Sequence, residues 1–477
     1  MAEESKQRFV GRTEELKALN ALYESQGFKM SVIYGRRRVG KTTLVNQFID
    51  TVNCRFISFV CTEMNEEDLL KRMGDDVLDS IAPELEGRVK FESFDAIFDF
   101  IGRAADNERL VFVIDEYPYL SKACQYMNSL IQKYVDHCWK STKLFLVLLG
   151  SMVSFMRDDV LGKDAPLHGR ADLEFQLRPF DYIETAAFLP DYNFEDKAIV
   201  YGLTNGVAKY IEQFDGSLSL DENIRRLFFS RTAFFSEEQV KTIISGEKSN
   251  PAAYSAIITA IAGGKTRYNE IKTAANMSDI SFCLNNLIST GIVERRKSPK
   301  AYYVIADSMV RFWFSYVNPG ASLINLGRGA MYYDLKVKPL LHEYMGSVFE
   351  AMARHYVLKN SGTSVLPVFI TDVFEYQNSI RTKDGTKNIE LDILGKEGND
   401  YALAGECKFR TEKFDKHDLD VFLEKLNYVP AHNLRIALFS LSGFTDYVVD
   451  FASEPSHNCQ IIDIAGMFEN KPVRQGP

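Results

Sequence analysis

One short stretch constrains the fold of this chain more than any other: residues 30–43 read MSVIYGRRRVGKTT. An apolar, β-prone run ends at Tyr34, the pattern Gly-x-x-x-x-Gly-Lys-Thr follows, and a helical pattern begins directly after it. This is the Walker A order of strand, loop and helix, in which backbone N–H groups and a helix N-terminus bind phosphates. The stretch therefore predicts a nucleotide site. Its predicted binding residues are Gly35, Arg36, Arg37, Arg38, Val39, Gly40, Lys41, Thr42 and Thr43.

Two acids after a later apolar strand complete this site. The run LVFVIDEYPYL (residues 110–120) places Asp115 and Glu116 at a strand end. Lys41 has the reach to contact the β- and γ-phosphates, and the Thr42 hydroxyl is suited to Mg²⁺. Asp115 is suited to the surroundings of Mg²⁺, and Glu116 to polarising the attacking water. The combination predicts ATP and Mg²⁺ as cofactors and hydrolysis as the reaction.

Other apolar runs supply the rest of a parallel sheet. Residues 143–149 close on Gly150 and Ser151, and residues 55–60 and 171–177 are also β-prone, with helical segments between them. Ser151 either senses the γ-phosphate or only forms hydrogen bonds with polar groups at the strand end. Strands that alternate with helices predict a parallel sheet covered on both faces.

Composition bounds the remaining possibilities. The chain has 477 residues, which suggests about three domains, and its net charge of −9 argues against a generally basic nucleic-acid coat. The longest apolar run, residues 144–156, is shorter than the roughly 18–20 residues of a membrane span. The N-terminus lacks the apolar core of a signal peptide, and seven cysteines include no CxxC pair. We therefore expect a cytoplasmic protein with no membrane partner.

With these motifs in view, the first part of the chain resembles the prokaryotic AAA-type ATPases often called the archaeal ATPase family, within the signal-transducing P-loop NTPases. The resemblance rests on FVGRTEEL (residues 9–16), on the Asp-Glu strand and on PLHGR (residues 166–170). It implies that Val10, Gly11 and Arg12 lie near the adenine and the phosphates. It also makes Arg170 a candidate arginine finger or sensor, with a surface arginine as the alternative.

Two further points follow from this resemblance. A finger that acts across subunits would need a ring or a dimer, so a homo-oligomer is one option for the assembly. The family's helical lid carries a Gly-Gly-x-Pro turn, whereas this chain has TNGVAKYI (residues 204–211), with Ala208 at the proline position. A nucleotide contact from that turn is therefore in question.

The middle of the chain has the pattern of a winged helix. Helical segments over residues 251–262, 263–276 and 278–290 precede two β-prone runs. Residues 231–338 contain 14 Lys and Arg against 8 Asp and Glu, or +6, and the tail from residue 339 contains 14 against 20, or −6. This predicts DNA phosphate contact by the middle, with protein binding or packing between domains as the alternative. The basic residues concerned are Arg267, Arg295, Arg296, Lys297 and Lys300.

The tail contains a charged hairpin. Asp392 lies in the run IELDIL, and Glu406 and Lys408 end the run YALAGECK. Period two puts Glu406 and Lys408 on one face, and Asp392 shares it only if the register or a bulge at Gly405 allows. Two carboxylates there would bind a second Mg²⁺ or Mn²⁺, and the lysine would position water.

This spacing resembles the PD-(D/E)xK nuclease superfamily, in the version fused to this ATPase family. The resemblance implies an acid from the first helix of the domain, which is Glu350 in GSVFEAMARHYV (residues 346–357), and LFSLSGFT (residues 438–445) is similar as well. The predicted metal ligands are Asp392 and Glu406. The alternative is an inactive remnant whose charges lie on a solvated face.

Together these patterns predict an α/β multidomain chain. It comprises a P-loop NTPase with a parallel sheet (residues 1–178), a helical lid (179–235), a winged helix (236–318) and an α/β restriction-nuclease-like domain (319–477). The predicted function is ATP hydrolysis that controls a DNA-directed, nucleolytic tail. The alternative is an ATP-driven regulatory switch that binds protein or DNA and has an inactive tail.

Overall fold

A computed structural model describes residues 9–245, 250–297, 301–382, 385–431 and 433–469. The described chain divides into two compact units. The first comprises residues 9–180 and 207–209, and the second comprises residues 181–206 and 210–469. Each unit has its own sheet and its own hydrophobic core.

The sheet of the first unit is parallel throughout its described strands, in the order β2-β3-β4-β1-β5. Its central strands β3 and β4 are continuous apolar runs, and all of their residues are buried because both faces of the sheet are covered. This agrees with the predicted α/β fold with a parallel sheet. The strands are β1 (Lys29–Tyr34), β2 (Arg55–Val60), β3 (Leu110–Asp115), β4 (Leu144–Gly150) and β5 (Leu173–Gln176).

Helices cover the two faces of this sheet and form a separate apolar layer on each. Leu44 and Phe48 of α2 pack with Val111 and Val147 on one face. Phe98 and Ile101 of α4 pack on the other. The helices are α1 (Thr13–Glu24), α2 (Lys41–Val52), α3 (Glu66–Ile81), α4 (Phe94–Ala104), α5 (Tyr117–Ala123), α6 (Met127–Lys133) and α7 (Val153–Phe155).

The longest apolar run of the sequence, interpreted as a buried strand followed by a loop, contains the buried strand but continues into a short helix. Residues 144–150 form β4, and α7 begins three residues later. Within the residues that the structure describes, every helix is too short or too polar to span a bilayer.

The second unit begins with helices and a small hairpin. Helices α13, α14 and α15 are followed by strands β6 and β7, which pair in antiparallel fashion. The helices are α8 (Tyr182–Ala186), α9 (Phe194–Thr204), α10 (Ala208–Ile211, whose first two residues belong to the first unit), α11 (Leu220–Phe228), α12 (Glu237–Ser245), α13 (Pro251–Ala262), α14 (Tyr268–Ala274), α15 (Ser281–Ser289), α16 (Ser308–Phe312), α17 (Ala321–Asn325) and α18 (Gly329–Tyr332), and the strands are β6 (Val293–Lys297) and β7 (Ala301–Ile305).

The remainder of the second unit surrounds a mixed sheet in the order β12-β11-β10-β9-β8. Strands β10, β11 and β12 run parallel, and β9 pairs antiparallel with both β10 and β8. The elements are α19 (Leu341–Asn360), β8 (Asp372–Thr382), β9 (Gly385–Glu397), β10 (Asp400–Lys408), α20 (Lys416–Leu426), β11 (Arg435–Ser440), α21 (Asp446–Ser453), β12 (Cys459–Asp463) and α22 (Ile464–Glu469).

The two faces of the mixed sheet carry different helices. Phe349 and Tyr356 of α19 contact the rings of Phe409 and Phe439 on one face. On the other face, α20 and α21 share a core with Leu438 of β11. Because successive strand residues alternate in direction, neighbours such as Leu438 and Phe439 lie on opposite faces.

Helix α19 also contacts the first helices of the second unit. The Tyr344 hydroxyl lies within hydrogen-bond distance of two carbonyls, 2.8 Å from that of Gly202 and 2.7 Å from that of Ser308, and donates its one hydrogen between them. His355 of the same helix pairs with Asp181 at 3.2 Å. One helix of 20 residues thus joins residues 181–206 to the mixed sheet.

Two glycines of the second unit give a matched test of this packing. A Cβ at Gly329 would lie 1.9 Å from the Phe229 carbonyl oxygen, whereas a Cβ at Gly346 would have no atom within 4 Å. We expect Gly329→Ala to destabilise the protein by about 1–3 kcal/mol because backbone must move. Gly346→Ala, inside α19, should stabilise it by about 0.5–1 kcal/mol. Calorimetric unfolding of the full chain measures both, and equal effects would contradict this packing.

Candidate functional site

The phosphate-binding loop joins β1 to α2 and is closed on itself. Gly40 adopts φ 96°, a left-handed conformation that favours glycine, directly before Lys41 begins the helix. The buried Lys41 ammonium donates to the carbonyl of Gly35 at 2.9 Å and to that of Arg36 at 3.3 Å. Burial lowers the Lys41 pKa, while Glu116 and Asp115 act in the opposite direction. The lysine charge therefore lies inside the loop, surrounded by carbonyls and carboxylates.

Thr42 and Asp115 meet across the end of the sheet. The Thr42 hydroxyl donates to Asp115 Oδ2 at 2.6 Å. Burial raises the Asp115 pKa, and the hydrogen bond from Thr42 partly offsets this. A hydroxyl oxygen and a carboxylate oxygen at this separation are the hard donors that Mg²⁺ prefers, so the residues present fit that ion.

Glu116 is held by the neighbouring strand end. Its backbone is left-handed, with φ 53°, and its N–H donates to Asp115 Oδ1 at 2.8 Å. Its carboxylate accepts from the Ser151 hydroxyl at 2.6 Å and from the Ser151 N–H at 3.2 Å. The position of Ser151 after β4 thus serves to orient Glu116, a contact that the sequence pattern did not reveal.

The arginines of the loop have partners beyond the loop. Arg37 donates to the Tyr119 hydroxyl at 2.7 Å. The carbonyl of Arg38, a residue with φ 71°, accepts from the Lys209 N–H at 3.3 Å. Tyr119 lies in α5, three residues beyond Glu116, and no feature of the motif marks it. The turn that contains Ala208 therefore contacts the loop backbone.

Arg12 is buried behind the loop. Its guanidinium donates to the Arg178 carbonyl at 2.7 Å and to the Val39 carbonyl at 3.4 Å, and lies 3.9 Å from the centre of the Phe180 ring. Its left-handed backbone, φ 58°, follows Gly11, which also has positive φ. The segment that contains Val10, Gly11 and Arg12 is thus tied to the back of the phosphate-binding loop.

Arg170 forms a two-pronged ion pair. Its Nε and Nη2 atoms donate to the two carboxylate oxygens of Asp136 at 3.0 and 2.8 Å, and Nη1 donates to the Pro166 carbonyl at 2.9 Å. Parallel bonds of this kind fix the guanidinium plane. A role at a γ-phosphate would require this pair to open.

The register of the tail hairpin brings Asp392 to Glu406. Gly405 pairs with Ile393, and continuing that antiparallel register places Asp392 opposite Glu406. The register of β9 with β10 shifts between Tyr401 and Leu403, not at Gly405. The register of β9 with β8 shifts between Leu391 and Leu394, the stretch that contains Asp392. Asp392 Oδ2 accepts from the Cys407 N–H at 2.8 Å.

The predicted acids of the tail come from different faces of the sheet. Phe409 contacts α19, so alternation places Glu406 and Lys408 on the face that α20 covers. Glu350 belongs to α19, on the face opposite Glu406. Asp392 lies opposite Glu406 in the hairpin, and its charge interacts with both Glu350 and Glu406. The hairpin thus aligns Asp392, Glu406 and Lys408, while Glu350 approaches from the other side.

The ammonium groups of two lysines donate to the carboxylate of Glu406. Lys408 Nζ lies 2.9 Å from Oε1, and Lys425 Nζ of α20 lies 2.9 Å from Oε1 and 3.0 Å from Oε2. The Glu406 side chain is only 5% exposed. Sequence reasoning missed Lys425 because a lysine on an amphipathic helix is ordinary, and only the tertiary fold brings α20 to this strand.

The two other acids have strongly shifted pKa values. Burial, and then the charge of Asp392, raise the pKa of Glu350 to about 7, although Arg354 opposes the shift at 3.6 Å. Burial, and then Glu406, raise the pKa of Asp392 to about 6. Glu350 is therefore the acid of this group that binds a proton most readily near neutral pH.

The carboxylates of Asp392 and Glu406, with the hydrogen-bond partners that they have here, do not form a ready site for a metal ion. Within residues 9–245, 250–297, 301–382, 385–431 and 433–469, no three His, Cys, Asp or Glu side chains are grouped to hold an ion. Both oxygens of Glu406 accept from ammonium groups, and an oxygen of Asp392 accepts from backbone. The second Mg²⁺ or Mn²⁺ predicted from Asp392 and Glu406 has no ready-made site here.

The basic residues of the middle region differ in their surroundings. Arg267 donates to the Ala301 carbonyl at 2.7 Å. Arg296 pairs with Glu294 at 2.9 Å and with Glu375 of β8 at 2.8 Å, whereas Arg295 is exposed. The side chain of Lys297 and the whole of Lys300 lie outside the described residues.

Comparison with known proteins identifies related sequences. Residues 9–214 match a family described as an ATPase domain predominantly from Archaea, and residues 313–419 match a family described as archaeal and bacterial proteins of unknown function. An uncharacterized protein of Methanocaldococcus jannaschii is 30% identical over 428 residues, which cover 87% of this chain and 89% of that protein. An uncharacterized ATP-binding protein of the same organism is 38% identical over 53 residues, 11% of this chain and 90% of that protein.

Solved structures with a similar chain trace include a Walker-type ATPase of Pyrococcus abyssi and the ORC2 protein of Aeropyrum pernix. The first has a TM-score of 0.47 at 19% identity and covers 64% of this chain and 96% of its own. The second has a TM-score of 0.46 at 16% identity and covers 66% and 96%, respectively.

The shifted carboxyl of Glu350 predicts a pH-dependent stability. Its pKa is about 7 in the folded protein against an ordinary 4.5, so its contribution is fully present below pH 4.5 and is lost as pH rises through 7. In EDTA, the free energy of unfolding of the wild type should decrease between pH 5 and pH 8. In Glu350→Gln this decrease should be smaller by about 1–2 kcal/mol. Urea unfolding at both pH values measures this. The control is Glu343→Gln, an exposed carboxyl of the same helix, and an identical pH response in both variants would refute the prediction.

Proposed function

We propose that this chain hydrolyses ATP and thereby controls a DNA-directed C-terminal region. The chain belongs to the family of its Methanocaldococcus jannaschii relative, and it carries an ATPase domain of the kind found predominantly in Archaea. One observation carries the first part of this proposal. Thr42, Asp115, Glu116 and Ser151 form a continuous hydrogen-bonded series at the end of the parallel sheet, beside Lys41.

The loop residues bind the nucleotide in this proposal. Backbone N–H groups of residues 36–43, which include the N-terminus of α2, donate to the phosphate oxygens, because a helix N-terminus presents unsatisfied donors to an anion. The Gly35 N–H already donates to the Gly150 carbonyl at 3.1 Å. Lys41 exchanges the carbonyls of Gly35 and Arg36 for phosphate oxygens. Val10, Gly11 and Arg12 support the loop from behind through the Val39 carbonyl.

The acids act on the water and on the ion. Thr42 and Asp115 hold Mg²⁺, which, when bound, neutralises charge on the phosphates. Glu116 polarises the attacking water and accepts its proton. Ser151 keeps the Glu116 carboxylate in one orientation through two hydrogen bonds. Arg170 reaches the γ-phosphate only after it leaves Asp136, either within one chain or across a homo-oligomer.

Substitutions at the loop and at Glu116 separate binding from chemistry. Lys41→Ala should reduce ATP hydrolysis by at least about 100-fold and also weaken ATP binding, because it removes the charge that meets the phosphates. Glu116→Gln should retain ATP binding and lose about 10²–10⁴-fold in turnover. Phosphate release and binding of a fluorescent ATP analogue measure the two effects. Lys17→Ala, on exposed α1, is the control, and hydrolysis retained in Lys41→Ala would refute the assignment.

The middle region is proposed to be a winged helix that contacts DNA phosphates. Three helices followed by an antiparallel hairpin support this, as do the exposed Arg295 and the positive charge of residues 231–338. Helix α15 contains no Arg or Lys, which favours contacts that do not depend on base sequence. The division of the chain at residues 178, 235 and 318 is part of the same proposal.

The C-terminal region is proposed to be nuclease-like in fold, and two versions of its function remain distinct. In one, Glu350, Asp392, Glu406 and Lys408 cut DNA with a divalent cation. In the other, the chain is an ATP-driven switch that binds DNA or protein without cutting. The second version is favoured by the two lysines on Glu406 and by the approach of Glu350 from the opposite face.

A cleavage assay decides between these versions. We expect supercoiled plasmid to stay intact with the protein, Mn²⁺ and ATP, because Glu406 already has two ammonium partners. Asp392→Ala and Lys408→Ala should be equally inert. Gel electrophoresis over a long incubation provides the measurement. Cleavage by the wild type that vanishes in both variants would establish the nucleolytic version instead.

A further inference from the structure

Arg37 connects the phosphate-binding loop to the first turn of α5. One of its contacts is the bond from Nη2 to the Tyr119 hydroxyl, at 2.7 Å. The Tyr119 N–H donates in turn to the Glu116 carbonyl at 3.0 Å, one helical turn earlier. Tyr119 is 9% exposed and belongs to the apolar core on that face of the sheet. Arg37 is therefore held beside the segment that supplies the acid for the attacking water.

The guanidinium of Arg37 also lies close enough to Lys41 to act on its charge. Burial is the largest influence on the Lys41 pKa and lowers it, Glu116 and Asp115 raise it, and the positive charge of Arg37 lowers it further. Lys41 is the residue that meets the β- and γ-phosphates in a loop of this kind. Arg37 thus has the phosphate-binding lysine on one side and, through Tyr119, the segment of Glu116 on the other.

Hydrolysis of ATP places negative charge between these two residues. A bond forms from the water oxygen to the γ-phosphorus, and the bond from that phosphorus to the oxygen shared with the β-phosphate breaks. ADP leaves with the electron pair of that bond, and Glu116 takes a proton from the water. The oxygens of the transferring phosphoryl group carry negative charge throughout. A planar guanidinium is well suited to them, because it presents parallel N–H donors and a permanent positive charge.

We propose that Arg37 is a catalytic residue that donates to the γ-phosphate oxygens within its own chain, and that Tyr119 is the positioning residue that orients it. Arg37 takes this role only if the chain hydrolyses ATP, so the assignment rests on the proposed function. Arg170 would first have to break two hydrogen bonds to the carboxylate of Asp136. Arg37 is instead part of the loop that surrounds the phosphates, and its bond to Tyr119 leaves its positive charge in place.

Turnover and ADP binding by the full chain test the role of Arg37. We expect Arg37→Met to lower kcat for ATP by about 10²–10³-fold, as removal of one transition-state donor does. Its affinity for ADP should stay within about twofold of the wild type, because ADP lacks the γ-phosphate. Arg37→Lys keeps the charge without the planar fork and should lose about tenfold in kcat, which provides a second variant if the methionine unfolds the chain.

Arg103→Met is the matched control. It removes an exposed arginine near the end of α4, outside the nucleotide site. Its kcat and its ADP affinity should equal those of the wild type. Thermal unfolding of each variant shows that the chain is folded.

Aluminium fluoride provides a readout that a purely structural role of Arg37 would not change. With ADP and Mg²⁺ it mimics the transferring phosphoryl group, and the wild type should bind ADP at least about 100-fold more tightly in its presence. Arg37→Met should lose this gain while it binds ADP alone as before. Titration calorimetry with ADP, in the presence and absence of aluminium fluoride, measures both affinities.

Tyr119→Phe tests the positioning role separately. This change removes only the hydroxyl and should lower kcat by roughly tenfold without a change in KM. The double variant Arg37→Met, Tyr119→Phe should be no slower than Arg37→Met alone, because the hydroxyl acts through Arg37. Losses in kcat that multiply in the double variant would overturn the positioning role of Tyr119.

The outcomes separate the role of Arg37 from the proposed function. If the wild type hydrolyses ATP, Lys41→Ala does not, and Arg37→Met keeps kcat within about twofold of the wild type, the ATPase function stands and the role of Arg37 is wrong. A variant Arg37→Met that retains the gain from aluminium fluoride would overturn it as well. If the wild type itself does not hydrolyse ATP, the proposed function and the role of Arg37 both fail.

Discussion

The parallel register of β1, β3 and β4 is the constraint on which the candidate nucleotide site depends. It brings the ends of three strands to one edge of the sheet, where Thr42, Asp115 and Ser151 come from segments distant in sequence. Strand ends that meet at one edge form the usual ligand crevice of open α/β sheets. A shift of β3 along the sheet would separate Asp115 from Thr42 and Glu116 from Ser151 together.

Much of this unit could be predicted from the sequence because its determinants are local. The Walker A pattern fixes a strand, a loop and a helix in consecutive residues, and two fully apolar runs specify buried strands. The partners of the long side chains could not be predicted. Asp136 opposite Arg170, Tyr119 opposite Arg37 and the contact of Arg12 with the Val39 carbonyl depend on tertiary packing that no short pattern encodes.

The tail shows the same limit more clearly. The hairpin and its alternation were visible in the sequence, and the register of β9 with β10 brings Asp392 opposite Glu406 without a bulge at Gly405. The sequence did not reveal which helix covers which face of the sheet. That choice places Lys425 on Glu406 and Glu350 on the opposite side. Asp115 and Glu406 both lie at the end of an apolar strand, but their hydrogen-bond partners differ. Asp115 accepts from a hydroxyl, whereas Glu406 accepts from two ammonium groups.

The long helix α19 has a mechanical consequence for the second unit. With 20 residues it extends about 30 Å, and along that length it is fastened to Gly202 and Asp181 as well as to the rings of Phe409 and Phe439. The helix is therefore a continuous connection between these two parts of the unit, not a flexible linker. A rotation of the helices over residues 181–206 would therefore have to move the mixed sheet with them or break these contacts of α19.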